Sequence, residues 1–142
     1  GASTLWEGGK GGGSHNHIMY GDISAWLYKN LGGINPDENN PGFKHIIINP
    51  HFAKEIEWSK TKYNCIYGPI VSDWEKREDD ILLYLEIPAN TTATVSLKYD
   101  TIRETDSIGQ SLESSDLIRK IKHENGINSF TIGSGRYYFS IE

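Results

Sequence analysis

Ile81-Leu82-Leu83-Tyr84-Leu85-Glu86-Ile87-Pro88-Ala89-Asn90-Thr91-Thr92-Ala93-Thr94-Val95-Ser96-Leu97-Lys98-Tyr99 decides the fold class. Ile81, Leu83, Leu85 and Ile87 recur with period two. After Pro88-Ala89-Asn90, Ala93, Val95, Leu97 and Tyr99 do the same, opposed by Thr92, Thr94, Ser96 and Lys98. Alternating side chains point to opposite faces of an extended chain, so each run is a strand with one buried face. Pro88 and Asn90 supply the turn between them.

The same alternation runs outward in both directions. Ile56 and Trp58 share a face against Glu55, Glu57 and Ser59. Ile70, Ser72 and Trp74 are opposed by Val71, Asp73 and Glu75. The acidic run Glu75 to Asp80, interrupted by Lys76 and Arg77, reads as a solvated hairpin tip, and it lacks the alternating oxygens and glycine of a calcium loop. Ile46-Ile47-Ile48, stopped by Pro50, is a short buried strand. Asn125-Gly126 predicts a hairpin joining a strand over Leu117–His123 to Ile127–Ile132. The former stretch also fits a short helix capped by Ser115. Phe130 and Ile132 are expected to pair with Tyr137, Phe139 and Ile141 across Gly133-Ser134-Gly135. Seven or so short antiparallel strands at this spacing predict a mainly β fold, an antiparallel β-sandwich.

Before Gly32-Gly33 the pattern changes. Met19, Ile23, Trp26 and Leu27 follow the three-and-four spacing of an amphipathic helix over about 17–31, and the glycine pair is its left-handed stop. One helix cannot bury that face alone. It must lie against the following domain or against something missing from this chain; with its cover missing, it is expected to pack on the sandwich, to pair with another copy, or to lack order. The turn cluster Asn35 to Gly42 follows. Ahead of the helix, the glycine-rich run Gly8 to Ser14 reads as a loop or linker.

Composition sets the outer limits. The chain has 142 residues, enough for one domain or one domain with an appendage. Its net charge is −5, with 14 basic and 19 acidic residues, so no basic surplus exists to neutralise a phosphate backbone. Nucleic acid is not an expected partner. No apolar stretch is long enough to cross a bilayer, and no membrane partner is expected. Cys65 is the sole cysteine, which excludes an internal disulfide. The chain lacks a charged-then-apolar leader and does not begin with Met, and so reads as a processed product or a fragment.

Polar candidates concentrate in the first seventeen residues: Glu7, His15 and His17. Two imidazoles and a carboxylate are part of a metal kit, but the spacing is loose and no fourth ligand is evident, so no metal or cofactor is expected. From the bare residues, Glu7 reads as an exposed loop carboxylate and His17 as a helix-start residue bonded to backbone. Trp6, Trp58, Trp74, Tyr63 and Tyr67 could stack on sugar rings if exposed. Trp58 and Trp74 fall on apolar faces and are expected in the core, while Trp6 stays open.

An ordered set of segments resembles the bacterial α-L-rhamnosidases. Gly1-Ala2-Ser3-Thr4-Leu5-Trp6-Glu7 resembles that family's GA-T-T-x-W-E. Ser14-His15-Asn16-His17-Ile18-Met19-Tyr20-Gly21 is similar to S-x-N-H-x-x-F/Y-G. Trp26-Leu27-Tyr28 with Leu31-Gly32-Gly33-Ile34 follows the helix E-W-L/F-Y-x-x-L-A-G-I. Pro41 to Ile46, Tyr67 to Trp74, Ile87 to Val95 and Ile132 to Phe139 continue the series in order. Each match is weak alone; the ordered set covers nearly the whole chain.

The resemblance implies the C-terminal portion of a longer inverting glycosidase. Residues 1–33 would be the last loop and helix of a catalytic (α/α)6 barrel, and residues 34–142 a C-terminal β-sandwich. It implies hydrolysis of terminal α-L-rhamnose from glycans or glycosides. It places the general base at Glu7 and a sugar-pocket histidine at His17. Inversion requires a second carboxyl group roughly 6.5–9.5 Å away, as general acid. The family carries that acid upstream, and no segment here matches it, so the chain alone is expected to be inactive. The loop from Gly8 to Asn16 is shorter than is usual in the family. The remainder of the parent chain is therefore an expected partner, and a periplasmic or secreted location is common among such enzymes. Two other readings remain open: a stand-alone carbohydrate-binding sandwich, and a structural module without catalysis.

Overall fold

The computed structural model describes residues 4–8, 12–99, 101–105 and 122–142, with Met19 and Tyr20 described in their backbone alone. Gly1 to Ser3, Gly9 to Gly11 and the 117–121 part of the expected strand lie outside the described residues.

Among the described residues, ten strands form two five-stranded sheets. β1 (Ile34–Pro36), β2 (His45–Ile48), β6 (Thr92–Leu97), β9 (Ile127–Ile132) and β8 (Lys122–Glu124) make one, in the order β1-β2-β6-β9-β8. β3 (Trp58–Cys65), β4 (Gly68–Lys76), β5 (Ile81–Ile87), β10 (Gly135–Ile141) and β7 (Ile102–Thr105) make the other, in the order β3-β4-β5-β10-β7. The predicted alternation is realised along β5 and β6. Ile81, Leu83, Leu85 and Ile87 are buried, as are Ala93, Val95 and Leu97 from the opposite sheet. Burying apolar area of this kind, at about 25 cal/mol per Å², is the main force holding the sheets together.

Two pairings differ from the sequence-based expectation. β9 and β10 are not partners. β9 pairs with β6 and β8, while β10 pairs with β5 and β7. Gly133-Ser134-Gly135 thus carries the chain from one sheet to the other, and Phe130 meets Phe139 edge-on across the core at 5.2 Å. Both strands alternate correctly, but alternation does not say which sheet a strand joins. β2 and β6, moreover, run parallel, with Ile46 beside Ala93 and Ile48 beside Val95. A parallel pair needs a long crossover. Here β3, β4 and β5 supply it through the opposite sheet.

Trp74 is in the core at 2% exposure, but Trp58 is 59% exposed, against expectation. The alternation counted from Ile56 does not apply, because the strand starts only at Trp58. Register places Trp58 opposite Glu75, on the outer face. The expected hairpin at Asn125-Gly126 forms: Glu124 pairs with Ile127, and both turn residues have positive φ, 52° and 74°.

The helical segment begins as a 3-10 turn (Ile18–Gly21), continues as α1 (Asp22–Trp26) and widens to a π turn (Leu27–Leu31). Gly33 at φ 67° ends it. A Cβ there would lie 2.1 Å from the Pro50 nitrogen, so only glycine fits this junction. The segment docks by its C-terminal end. Leu31 is buried, the Trp74 indole N–H donates to the Leu31 carbonyl at 2.8 Å, and Tyr28 meets Tyr63 edge-on. The rest of the expected apolar face does not pack on the sandwich: Ile23, Trp26 and Leu27 stay exposed. Among the described residues, no helix is long and apolar enough to cross a membrane.

Candidate functional site

The segment around Glu7 lies beside the segment leading into the helix. The Glu7 N–H donates to the Ser14 carbonyl at 2.8 Å, and the His17 N–H donates to the Leu5 carbonyl at 2.6 Å. Thr4 Oγ1 adds a hydrogen bond to the His15 carbonyl. These bonds hold the 4–7 segment against the 14–17 segment. They bring two residues ten positions apart into contact: His17 Nδ1 stands 3.6 Å from Glu7 Oε2.

Gly13 makes the fold-back possible. Its φ is +82°, and a Cβ on it would fall 2.7 Å from Glu7 Oε2. A side chain would therefore be strained in its backbone and would press on the carboxylate. Just beyond it, the Ser14 N–H donates to Glu7 Oε2 at 3.0 Å. One oxygen of Glu7, Oε2, thus accepts the backbone donor of Ser14 and also faces the His17 imidazole. A carboxylate that keeps a solvent-facing edge while its position is fixed can accept a proton from a bound water.

The other candidates fall elsewhere. Trp6 stacks on His15, with ring centroids 4.5 Å apart and planes at 16°. His45 contacts Thr92 Oγ1 and Thr94 Oγ1 at 2.6 and 2.9 Å, an internal link between β2 and β6. The His51 N–H donates to the Asn30 carbonyl. No cluster of three metal-ligating side chains occurs among the described residues. Tyr63 packs on Phe43 and on Tyr28 of the helical segment, and Tyr67 lies under the Lys44 ammonium. Sequence reasoning passed over Gly13 and Ser14. Their signal was the glycine immediately ahead of the Ser14-His15-Asn16-His17 motif.

Comparison with known proteins gives a consistent family. Residues 33–110 match the family described as bacterial alpha-L-rhamnosidase C-terminal domain. An alpha-L-rhamnosidase of Formosa agariphila is 32% identical over 124 residues, covering 87% of this chain and 13% of the relative. The structure of Streptomyces avermitilis alpha-L-rhamnosidase complexed with L-rhamnose aligns with a TM-score of 0.71 at 26% identity, over 91% of this chain and 12% of that one. The alpha-L-rhamnosidase of Dictyoglumus thermophilum aligns with a TM-score of 0.72 at 26% identity, over 91% and 14%. The chain thus spans only a small part of the length of the proteins it resembles.

Proposed function

Because the chain belongs to the bacterial α-L-rhamnosidase C-terminal domain family, we propose that it works as the C-terminal part of an inverting α-L-rhamnosidase. In this reading residues 1–33 complete a helical catalytic barrel, and residues 34–142 are the sandwich that closes the chain. The exposed Ile18, Ile23 and Trp26 support the division, since a helix face of this kind asks for cover.

Glu7 is the general base. Its carboxylate takes a proton from a water molecule as that water attacks the anomeric carbon from the face opposite the leaving oxygen. The Ser14 N–H and the Glu7 main-chain bond to Ser14 fix where the carboxylate points. His17, 3.6 Å away, lines the sugar pocket and hydrogen-bonds a rhamnose hydroxyl. The general acid that protonates the leaving oxygen comes from polypeptide outside this chain. The 3.6 Å approach of His17 to Glu7 is the observation that carries the reading, because it joins two motif residues at one point.

The sandwich could instead act alone as a sugar-binding module, and the two readings separate by assay. The 142-residue chain should not hydrolyse an aryl α-L-rhamnoside, while the parent enzyme should release β-L-rhamnose first, seen by NMR before mutarotation. Turnover by the chain alone, or α-L-rhamnose as first product of the parent, would refute the proposal.

A further inference from the structure

The outer face of the second sheet holds a groove of about 420 Å³ that the proposed chemistry does not use. Its centre is one cross-strand row. Lys60 on β3 pairs with Asp73 on β4, Asp73 with Tyr84 on β5, and Tyr84 with Tyr138 on β10. The next row adds Trp58 opposite Glu75. All six side chains line the groove.

The groove is fixed before any ligand arrives. Tyr84 and Tyr138 lie 4.8 Å apart with planes tilted by 37°. The Tyr84 hydroxyl donates to Glu86 Oε2 at 3.0 Å, which sets its ring. Asp73 Oδ1 accepts the Thr61 N–H at 2.9 Å, leaving Oδ2 to a ligand. Burial pushes the Asp73 carboxyl up, against the pull of that hydrogen bond and of Lys60. Trp58, at 59% exposure on an edge strand, presents a broad ring to the opening.

We propose that this groove is a second carbohydrate-binding site, taking an uncharged sugar unit of a rhamnose-containing glycan. A pyranose offers an apolar C–H face to the Trp58 and tyrosine rings, and hydroxyls to Asp73, Glu75 and Lys60. Rings of this type present an apolar body with a polar edge, and suit such mixed surfaces. Two carboxylates against one lysine repel phosphates and uronates. An apolar polypeptide segment would bury the carboxylates without hydrogen-bond partners, which is costly. A sugar satisfies them. The choice of a rhamnose glycan rests on the proposed function; the groove's chemistry does not depend on Glu7.

The test is a titration of the chain with L-rhamnose and with a rhamnose-containing disaccharide, followed by residue-resolved NMR. Signals of Trp58, Asp73, Tyr84 and Tyr138 are expected to shift. Trp58→Ala should weaken binding about tenfold or more, as truncating a central aromatic contact does. Asp73→Asn, of unchanged shape, should also weaken it, with the spectrum elsewhere preserved in both variants. No shifts, shifts confined to residues 4–17, or unaltered binding by both variants would overturn the site. Hydroxyl-radical footprinting of the parent enzyme supplies a further check. Trp58 should be oxidised about as readily there as in this chain; full shielding would make parent polypeptide the occupant and overturn the proposal. The role of Glu7 as general base is read separately, by turnover of the parent enzyme.

Discussion

Glu7 and Ser14 hold each other in both directions. The Glu7 N–H donates to the Ser14 carbonyl at 2.8 Å, and the Ser14 N–H donates to Glu7 Oε2 at 3.0 Å. This reciprocal pair sets both the main chain and the carboxylate of Glu7, and it depends on the left-handed turn at Gly13.

Gly13→Ala is therefore expected to disturb the carboxylate more than the fold. The left-handed backbone costs about 1–2 kcal/mol once a Cβ is present. The new methyl, at 2.7 Å from Oε2, displaces the carboxylate. In the parent enzyme kcat should fall by about 10²-fold, as a misplaced group about 1 Å out of position produces. KM should rise as well, because the placement of His17, the proposed sugar-binding residue, depends on the same backbone path through Gly13. Steady-state kinetics check this; an unchanged kcat would mean that the turn does not position Glu7.

Trp74 fastens the helical segment to the sandwich. Its indole N–H reaches the Leu31 carbonyl at 2.8 Å, and its ring meets Phe52 edge-on at 5.3 Å. Trp74→Phe removes the donor and leaves a gap, for a loss of about 2 kcal/mol. Urea unfolding measures that loss. Hydrogen exchange should also quicken at 27–31 in this variant, and equal exchange would show that the helix is held by other contacts.

Tyr84 gives a pH signature. Burial, then the hydrogen bond to Glu86, push its phenol up to about 12 from 10.0. The folded state favours the neutral phenol. Its contribution to stability is complete below pH 10 and is lost as pH rises through 12. Ultraviolet titration of tyrosinate should show a late step to which Tyr84 contributes, beside Tyr137, which burial also pushes up; the Tyr84 part should be absent in Tyr84→Phe. A wild-type curve without that late step contradicts the assignment.

Much of the sandwich was legible because alternation is local. The runs Ile81 to Ile87 and Ala93 to Leu97 needed only a count of two, and Asn125-Gly126 named its own turn. What alternation does not encode is partnership. The split of β9 from β10 and the parallel β2–β6 pair are set by contacts distant in sequence. Trp58 was misplaced because Ile56, its supposed face-mate, precedes the strand. At the candidate site, the residue types were visible in the two motifs. The approach of His17 to Glu7 was not, since it depends on the backbone path through Gly13.

Glu7 carries the central claim, and one substitution in the parent enzyme addresses it. Glu7→Gln keeps the shape and the Ser14 contact but cannot accept a proton. Hydrolysis of an aryl α-L-rhamnoside should fall by ~10²–10⁴-fold in kcat, the usual worth of a general base. L-Rhamnose should still bind with nearly native affinity. A variant that turns over at close to the native rate would show that the proton of the attacking water goes elsewhere.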